Sequence, residues 1–236
     1  MSTREYTEEE VLALARHAYR SGQATFPVIP TRCALLVIDM QDEFVRSGWT
    51  PYWVPDATRM VPRLSAFISQ CREAAIPVVY TAFARTYHNL DRPRAGAFMP
   101  NRYDAVSDAW FRDGRIWHEL SPRAEDVLIF KPSYGAFHDT PLETILRNLN
   151  RDTIIVTGTL TTFCCGTTAR QGYERGFHVV FCSDLTASDD PEMQQAELCV
   201  LRKGFARVMT ADAIGVALHG PTDAVNAAEA ADDDGR

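Results

Sequence analysis

Three residues of this 236-residue chain have the side chains that covalent hydrolysis requires: Asp39, Lys131 and Cys164. A cysteine thiol ionises near pH 8.5 in water and attacks only as the thiolate, so it needs a base or a nearby cation. A carboxylate such as Asp39 can take the thiol proton and return it to a leaving group. An ammonium such as Lys131 favours the thiolate, as does a helix N-terminus beneath the cysteine. Taken singly, each residue has a plainer reading. An aspartate after a strand forms turns, a lysine there is a solvated charge, and a cysteine near a helix start is a small packing residue. The chemistry depends on whether the fold brings the three together.

The surrounding pattern does so. Residues 33–38 are apolar at every position and read as a strand buried on both faces, as in a parallel sheet. Further strands are expected at 76–83, 127–130, 153–157, 178–182 and 206–209. Helices are expected at 60–75, 141–149, 163–175 and 191–203, with Pro62 early enough in the first to be tolerated. Such alternation means an α/β domain with a mainly parallel sheet. In an open parallel sheet, ligands bind beyond the carboxyl ends of the strands. Asp39 directly follows the first strand, Lys131 the third, and Cys164 lies in the turn after the fourth, so all three share one rim.

The rest of the chain is organised around this domain. Residues 1–30 hold an N-terminal helix over 7–20 and a connection. Thr7 and Glu10 form its capping box, and Val11, Leu14, Ala15 and Ala18 one apolar face. The domain proper spans 31–220, and the Ala- and Asp-rich segment 221–236 reads as a disordered tail. Residues 84–125 are long, irregular and rich in Arg, Pro and aromatics. Trp110, Phe111 and Trp117 within them are expected to form a lid or to meet a second subunit.

Composition narrows the function. A formal net charge of -7 with interspersed signs argues against nucleic-acid binding. No apolar run approaches the roughly 18 residues needed to cross a membrane, and the polar, acidic start lacks a targeting signal, so a cytoplasmic protein is expected. Six cysteines, at 33, 71, 164, 165, 182 and 199, show neither a disulfide framework nor zinc-ligand spacing. No glycine-rich nucleotide motif is present. No metal and no cofactor are expected, and the partner is a small-molecule substrate.

The segments Leu36-Val37-Ile38-Asp39-Met40-Gln41, Lys131-Pro132 with the following Gly-Ala-Phe, and Gly158-x-x-Thr161-x-x-Cys164 stand in a telling order. Thr167-Thr168-Ala169-Arg170, Arg175-Gly176-Phe177 and Ser183-Asp184 follow them. With this set the chain resembles the isochorismatase-like cysteine hydrolases, a superfamily that includes nicotinamidases, N-carbamoylsarcosine amidohydrolase, biuret hydrolase and ureidoacrylate amidohydrolase. The resemblance runs over residues 31–217. It implies a Rossmann-like three-layer α/β/α sandwich with a six-stranded parallel sheet, and a homo-oligomer, dimer or tetramer. It implies Cys164 as nucleophile, Asp39 as general base and acid, and Lys131 as cationic partner. It also implies a cis peptide between Thr159 and Leu160, which would aim the Leu160 N–H, with that of Cys164, at an oxyanion. Cys165 stands where the family has Val and reads as packing.

Two departures narrow the activity that the resemblance implies. True isochorismatases, which hydrolyse a vinyl ether, lack the nucleophilic cysteine, which this chain has. Nicotinamidases carry an Asp-x-His metal cluster after the second strand, where this chain reads Ala84-Arg85-Thr86-Tyr87-His88. The expected reaction is hydrolysis of a C–N bond in a small amide, carbamoyl or ureido compound. Gln41, Phe44, Tyr134, Phe137 and Phe163 are expected to wall the pocket, and Arg85 to hold a substrate carboxylate. The rivals are a vinyl-ether hydrolase with Cys164 as spectator, a silent interaction protein, and a redox protein using Cys164 and Cys165. Adjacent Cα atoms stand too close for most disulfides, which disfavours the last.

Overall fold

The apolar runs form six strands, β1 (Cys33–Ile38), β2 (Val78–Phe83), β3 (Val127–Lys131), β4 (Thr153–Thr159), β5 (His178–Ala187) and β6 (Arg207–Met209). This computed structural model describes residues 4–22, 24–93 and 110–219. The expected tail, 221–236, lies outside them. The strands make one all-parallel sheet in the order β3-β2-β1-β4-β5-β6. Every residue of β1, β2 and β4 is buried, as inner strands of a doubly covered sheet must be.

Two helical layers cover it. On one face lie α3 (Pro55–Glu73) and α7 (Ala211–Leu218), whose Leu64, Phe67, Ile68 and Ile214 pack with Leu35 and Val37. On the other lie α4 (Leu142–Asn148), α5 (Gly166–Glu174) and α6 (Pro191–Gly204), whose Leu146, Ala169 and Leu201 pack with Leu36 and Ile38. The alternation of side chains along β1 serves both cores at once.

Several boundaries differ from the sequence expectation. The helix expected at 60–75 begins at Pro55, so Pro62 sits in its interior and the helix continues through it. Lys131 closes β3 instead of following it, and β5 runs on to Ala187 past a register shift opposite Val156/Gly158. Two helices escape the apolar periodicity: α2 (Asp42–Val45), too short to display one, and α7, apolar along nearly its whole length. The N-terminal helix, α1 (Glu8–Ser21), has the expected capping box. Its apolar face is not buried as a unit, however. Ala18 is 4% exposed, but Val11 is 52% and Leu14 59% exposed. Among the described residues, α1 is held at its carboxyl end, with the Tyr19 carbonyl accepting from Arg202 and the Tyr19 ring beneath Lys203 of α6.

Within the long segment, Phe111 is a core residue and neither lid nor contact surface. It is 2% exposed and packs against Phe44, Tyr52 and Phe83. Trp110 and Trp117 are partly buried against the same core.

Candidate active site

The strand order reverses between β1 and β4, and the ends of these two strands open the crevice where such sheets bind ligands. The approach is close: a Cβ on Gly158 would stand 2.0 Å from the Ile38 carbonyl oxygen, so only glycine fits opposite the end of β1. Asp39 then leaves the strand at φ 48°, a left-handed conformation that aspartate tolerates better than most residues. Its backbone N–H donates to the Thr81 carbonyl of β2 at 3.0 Å, and its carbonyl accepts from the Thr159 hydroxyl of β4 at 3.0 Å. The bend is thus tied to both neighbouring strands.

The side chains converge. Lys131 Nζ lies 2.7 Å from Asp39 Oδ2, and both side chains are 0% exposed. Asp39 Oδ1 accepts from the Thr81 hydroxyl at 2.7 Å. The ammonium donates to the carbonyls of Ser133 at 2.8 Å and Tyr134 at 2.9 Å. Those two bonds use two of its three protons. The third points to the side where Asp39 Oδ2 and the Cys164 thiol lie. Oδ2 is a carboxylate oxygen with charge compensation beside it and the thiol within range.

Cys164 completes the cluster. It lies in a π turn, Thr161–Cys165, ahead of α5, and is 1% exposed. Both the Asp39 carboxylate and the Lys131 ammonium are within interaction range of its thiol. Burial is the dominant influence and pushes the Cys164 thiol up to about 12; Lys131 pulls it down, and Asp39 pushes it further up. Loss of hydration outweighs the ammonium, so the thiol needs the base that the sequence assigns to Asp39. At neutral pH the cluster therefore holds a neutral thiol. Burial also disfavours the Lys131 ammonium, but Asp39 and Cys164 outweigh it and raise its pKa above the ordinary lysine value.

The turn after β4 contains the cis peptide Thr159–Leu160. The Leu160 carbonyl accepts from the N–H groups of Phe163 at 3.1 Å and Cys165 at 3.0 Å, which closes the turn. Cys165 is fully buried, with its thiol 3.8 Å from the Thr157 carbonyl.

The residues expected to wall a pocket divide. Tyr134 and Phe163 are partly buried, with ring centroids 5.4 Å apart, beside the lysine and the cysteine. Arg85 is half-buried on the same rim, its backbone N–H donating to the Arg112 carbonyl at 3.2 Å. Phe44 and Phe137 are buried and pack on Phe111 and Phe177, respectively. Gln41 is also buried. Its amide oxygen accepts from the Phe83 N–H at 2.8 Å, and its amide nitrogen donates to the Phe83 carbonyl at 3.0 Å and to Glu43 at 2.7 Å. That side chain is consumed in locking the ends of β1 and β2 together.

Thr81 is a site residue that the sequence reading passed over. A polar residue inside an otherwise apolar inner strand was the available signal. His88 is exposed, with φ 54°, and Asp91 accepts from Thr86 at 2.5 Å. Among the described residues, no three His, Cys, Asp or Glu side chains come together as a metal site would require. None of their helices is long and apolar enough to cross a membrane.

Comparison with known proteins agrees with this fold. The chain is similar to Nicotinamidase 3 of Arabidopsis thaliana, with 31% identity over 79% of this chain and 89% of that protein. It is also similar to Enterobactin synthase component B of Escherichia coli (strain K12), with 30% identity over 74% of this chain and 60% of that protein. The crystal structure of a cysteine hydrolase from Pseudomonas syringae pv. phaseolicola 1448A superposes with a TM-score of 0.73 and 28% identity, covering 83% of this chain and 96% of that one. The Isochorismatase domain model matches residues 33–213, which include all of Asp39, Lys131 and Cys164, and the chain belongs to the isochorismatase family of hydrolases.

Proposed function

We propose that this protein is a cysteine hydrolase that cleaves a C–N bond of a small amide, carbamoyl or ureido compound through a thioester. The observation that carries this reading is the fully buried Asp39–Lys131 pair beside the Cys164 thiol. In the resting cluster, carboxylate and ammonium balance and the thiol is neutral. When Asp39 takes the thiol proton, the negative charge moves from oxygen to sulfur beside an ammonium that stays in place. The cluster keeps its net charge, so little reorganisation is needed in a site closed to water.

The thiolate sulfur then bonds to the substrate carbonyl carbon, and the carbonyl electrons move to oxygen. The Leu160 and Cys164 N–H groups are assigned to that oxyanion. The C–N bond breaks as Asp39 gives its proton to the leaving nitrogen, and a thioester remains. Asp39 next takes a proton from water, whose oxygen attacks the thioester, and the sulfur leaves to recover the proton. This divides one difficult displacement into two easier ones. Tyr134 and Phe163 supply apolar walls, and Arg85 a cation for a substrate carboxylate. The residues after β2 do not fit the metal cluster of nicotinamidases, and no step here calls for one.

A likeness to the Isochorismatase of Bacillus subtilis (strain 168), at 29% identity over 72% of this chain, favours a second reading, vinyl-ether hydrolysis with Cys164 uninvolved. The two readings part in a single assay. Small amides, carbamoyl compounds and ureas are screened for ammonia or amine release, and a vinyl ether for cleavage, with and without a chelator, by wild type and Cys164→Ser. Chelator-resistant release that Cys164→Ser lacks supports the proposal. Turnover of a vinyl ether only, at equal rates in both proteins, overturns it.

A further inference from the structure

The proposed hydrolysis requires Lys131 and Cys164 to be held in register, yet the sheet does not join them directly. Lys131 ends β3 and the cysteine turn follows β4, with β2 and β1 lying between in the strand order β3-β2-β1-β4. A second connection spans this distance. Thr168 of α5 donates its hydroxyl proton to the Cys164 carbonyl at 2.6 Å. That bond alone is ordinary, because helical threonines often bond the carbonyl four residues back. The same hydroxyl oxygen also accepts from the Ala136 N–H at 2.9 Å. Ala136 belongs to the loop whose Ser133 and Tyr134 carbonyls hold the Lys131 ammonium. One turn further along α5, Gln171 Oε1 accepts from the Phe137 N–H at 3.2 Å. Gly135 permits that approach, since a Cβ there would stand 2.1 Å from the same oxygen. Thr168 is 0% exposed, so water cannot readily take the place of its hydroxyl.

We propose that Thr168 is a positioning residue whose hydroxyl fastens the lysine loop to the nucleophile turn and so sets Lys131 against Cys164. The inference rests on the cysteine-hydrolase reading above. It assigns Thr168 no contact with substrate; its effect passes through Lys131. The orientation of the cluster then depends on one hydroxyl that acts as donor to one partner and acceptor from the other. Serine can reproduce both bonds, whereas valine and alanine can reproduce neither.

The test needs no substrate. The rate of Cys164 labelling by iodoacetamide at pH 9 is measured by peptide mass spectrometry in wild type, Thr168→Val, Thr168→Ser, Lys131→Met and the double variant Thr168→Val/Lys131→Met. Circular dichroism confirms the fold of each protein, and Thr168→Ala replaces Thr168→Val through the same set should valine prevent folding. Thr168→Val is expected to label about threefold to tenfold more slowly than wild type, the range set by one buried hydrogen bond. Thr168→Ser is expected to keep the wild-type rate. In the Lys131→Met background, Thr168→Val is expected to change nothing further, because the group it positions is gone. An equal loss in both backgrounds, an acceleration, or no effect in either overturns the positioning role while the hydrolase reading stands. If Lys131→Met itself leaves labelling unchanged, the lysine has no hold on the thiol, and both the proposal and the cationic role of Lys131 fall.

Discussion

The bodies of the inner strands and their carboxyl ends are equally buried but chemically opposite. Along β1, every side chain from Cys33 to Ile38 is apolar and 0% exposed. At and near the carboxyl ends of the strands, Asp39, Thr81, Lys131 and Thr159 are also 0% exposed, and each has a polar partner. Apolar burial needs only shape and volume, whereas burial of a polar group requires a specific partner or costs several kcal/mol. The strand bodies therefore stabilise the domain. The rim holds charges that water would otherwise disperse.

The largest effect expected from disturbing the rim is that of Cys164→Ser, which keeps the fold and abolishes turnover because Asp39 cannot ionise a serine hydroxyl to a useful extent. Its neighbour supplies the contrast. Cys165→Val replaces one small buried side chain by another and keeps most activity in the same assay. The reverse pattern would place the nucleophile one residue along.

Asp39→Asn comes next. It removes the proton acceptor and leaves the Lys131 ammonium buried without a carboxylate. Turnover is expected to fall about 10² to 10⁴-fold, and chemical denaturation to show a loss of about 3–5 kcal/mol. Asp39→Asn/Lys131→Met should cost less stability than the sum of the two single variants, because it removes both charges. Additive losses would mean that the pair is not coupled.

A change in a strand body should separate the two regions. Leu36→Ala is expected to cost about 2–5 kcal/mol in denaturation, yet to leave the pH dependence of Cys164 labelling as in wild type. A shifted labelling profile would show that the strand body tunes the site.

The contrast between these regions also explains what the sequence could reveal. Uninterrupted apolar runs announced the parallel sheet, and the sheet placed Asp39, Lys131 and Cys164 on one rim. Three short motifs in order pointed to the family. What stayed hidden depended on partners distant in sequence. Gln41 and Phe44 lie near Asp39 in the chain and suggested a pocket, but one ties β2 to β1 and the other packs on Phe111. The charges around Cys164 were visible in sequence, while the depth of burial that raises its thiol pKa was not. The part played by Thr81 became clear only with the register of β1 against β2.

A smaller and more diffuse effect is expected from alkali. Burial holds the thiols of Cys33, Cys71 and Cys164 at about 12 in the folded chain, against about 8.5 in an unfolded one. Between these values the unfolded chain releases protons that the folded chain keeps, so their contribution to stability is complete below about pH 8.5. It is lost as pH rises toward 12. Thermal unfolding followed from pH 8 upward should show a steady fall, and a flat profile to pH 11 would contradict the depth of burial.

The central claim is the covalent role of Cys164, and trapping the acyl-enzyme tests it most directly. Wild-type protein is mixed with an amide or urea that it hydrolyses, quenched in acid within the first turnover, digested, and analysed by mass spectrometry. The account predicts the acyl or carbamoyl mass on the peptide carrying Cys164, absent from Cys164→Ser and lost as product forms. Turnover that leaves Cys164 unmodified at every quench time, and that survives in Cys164→Ser, would contradict it.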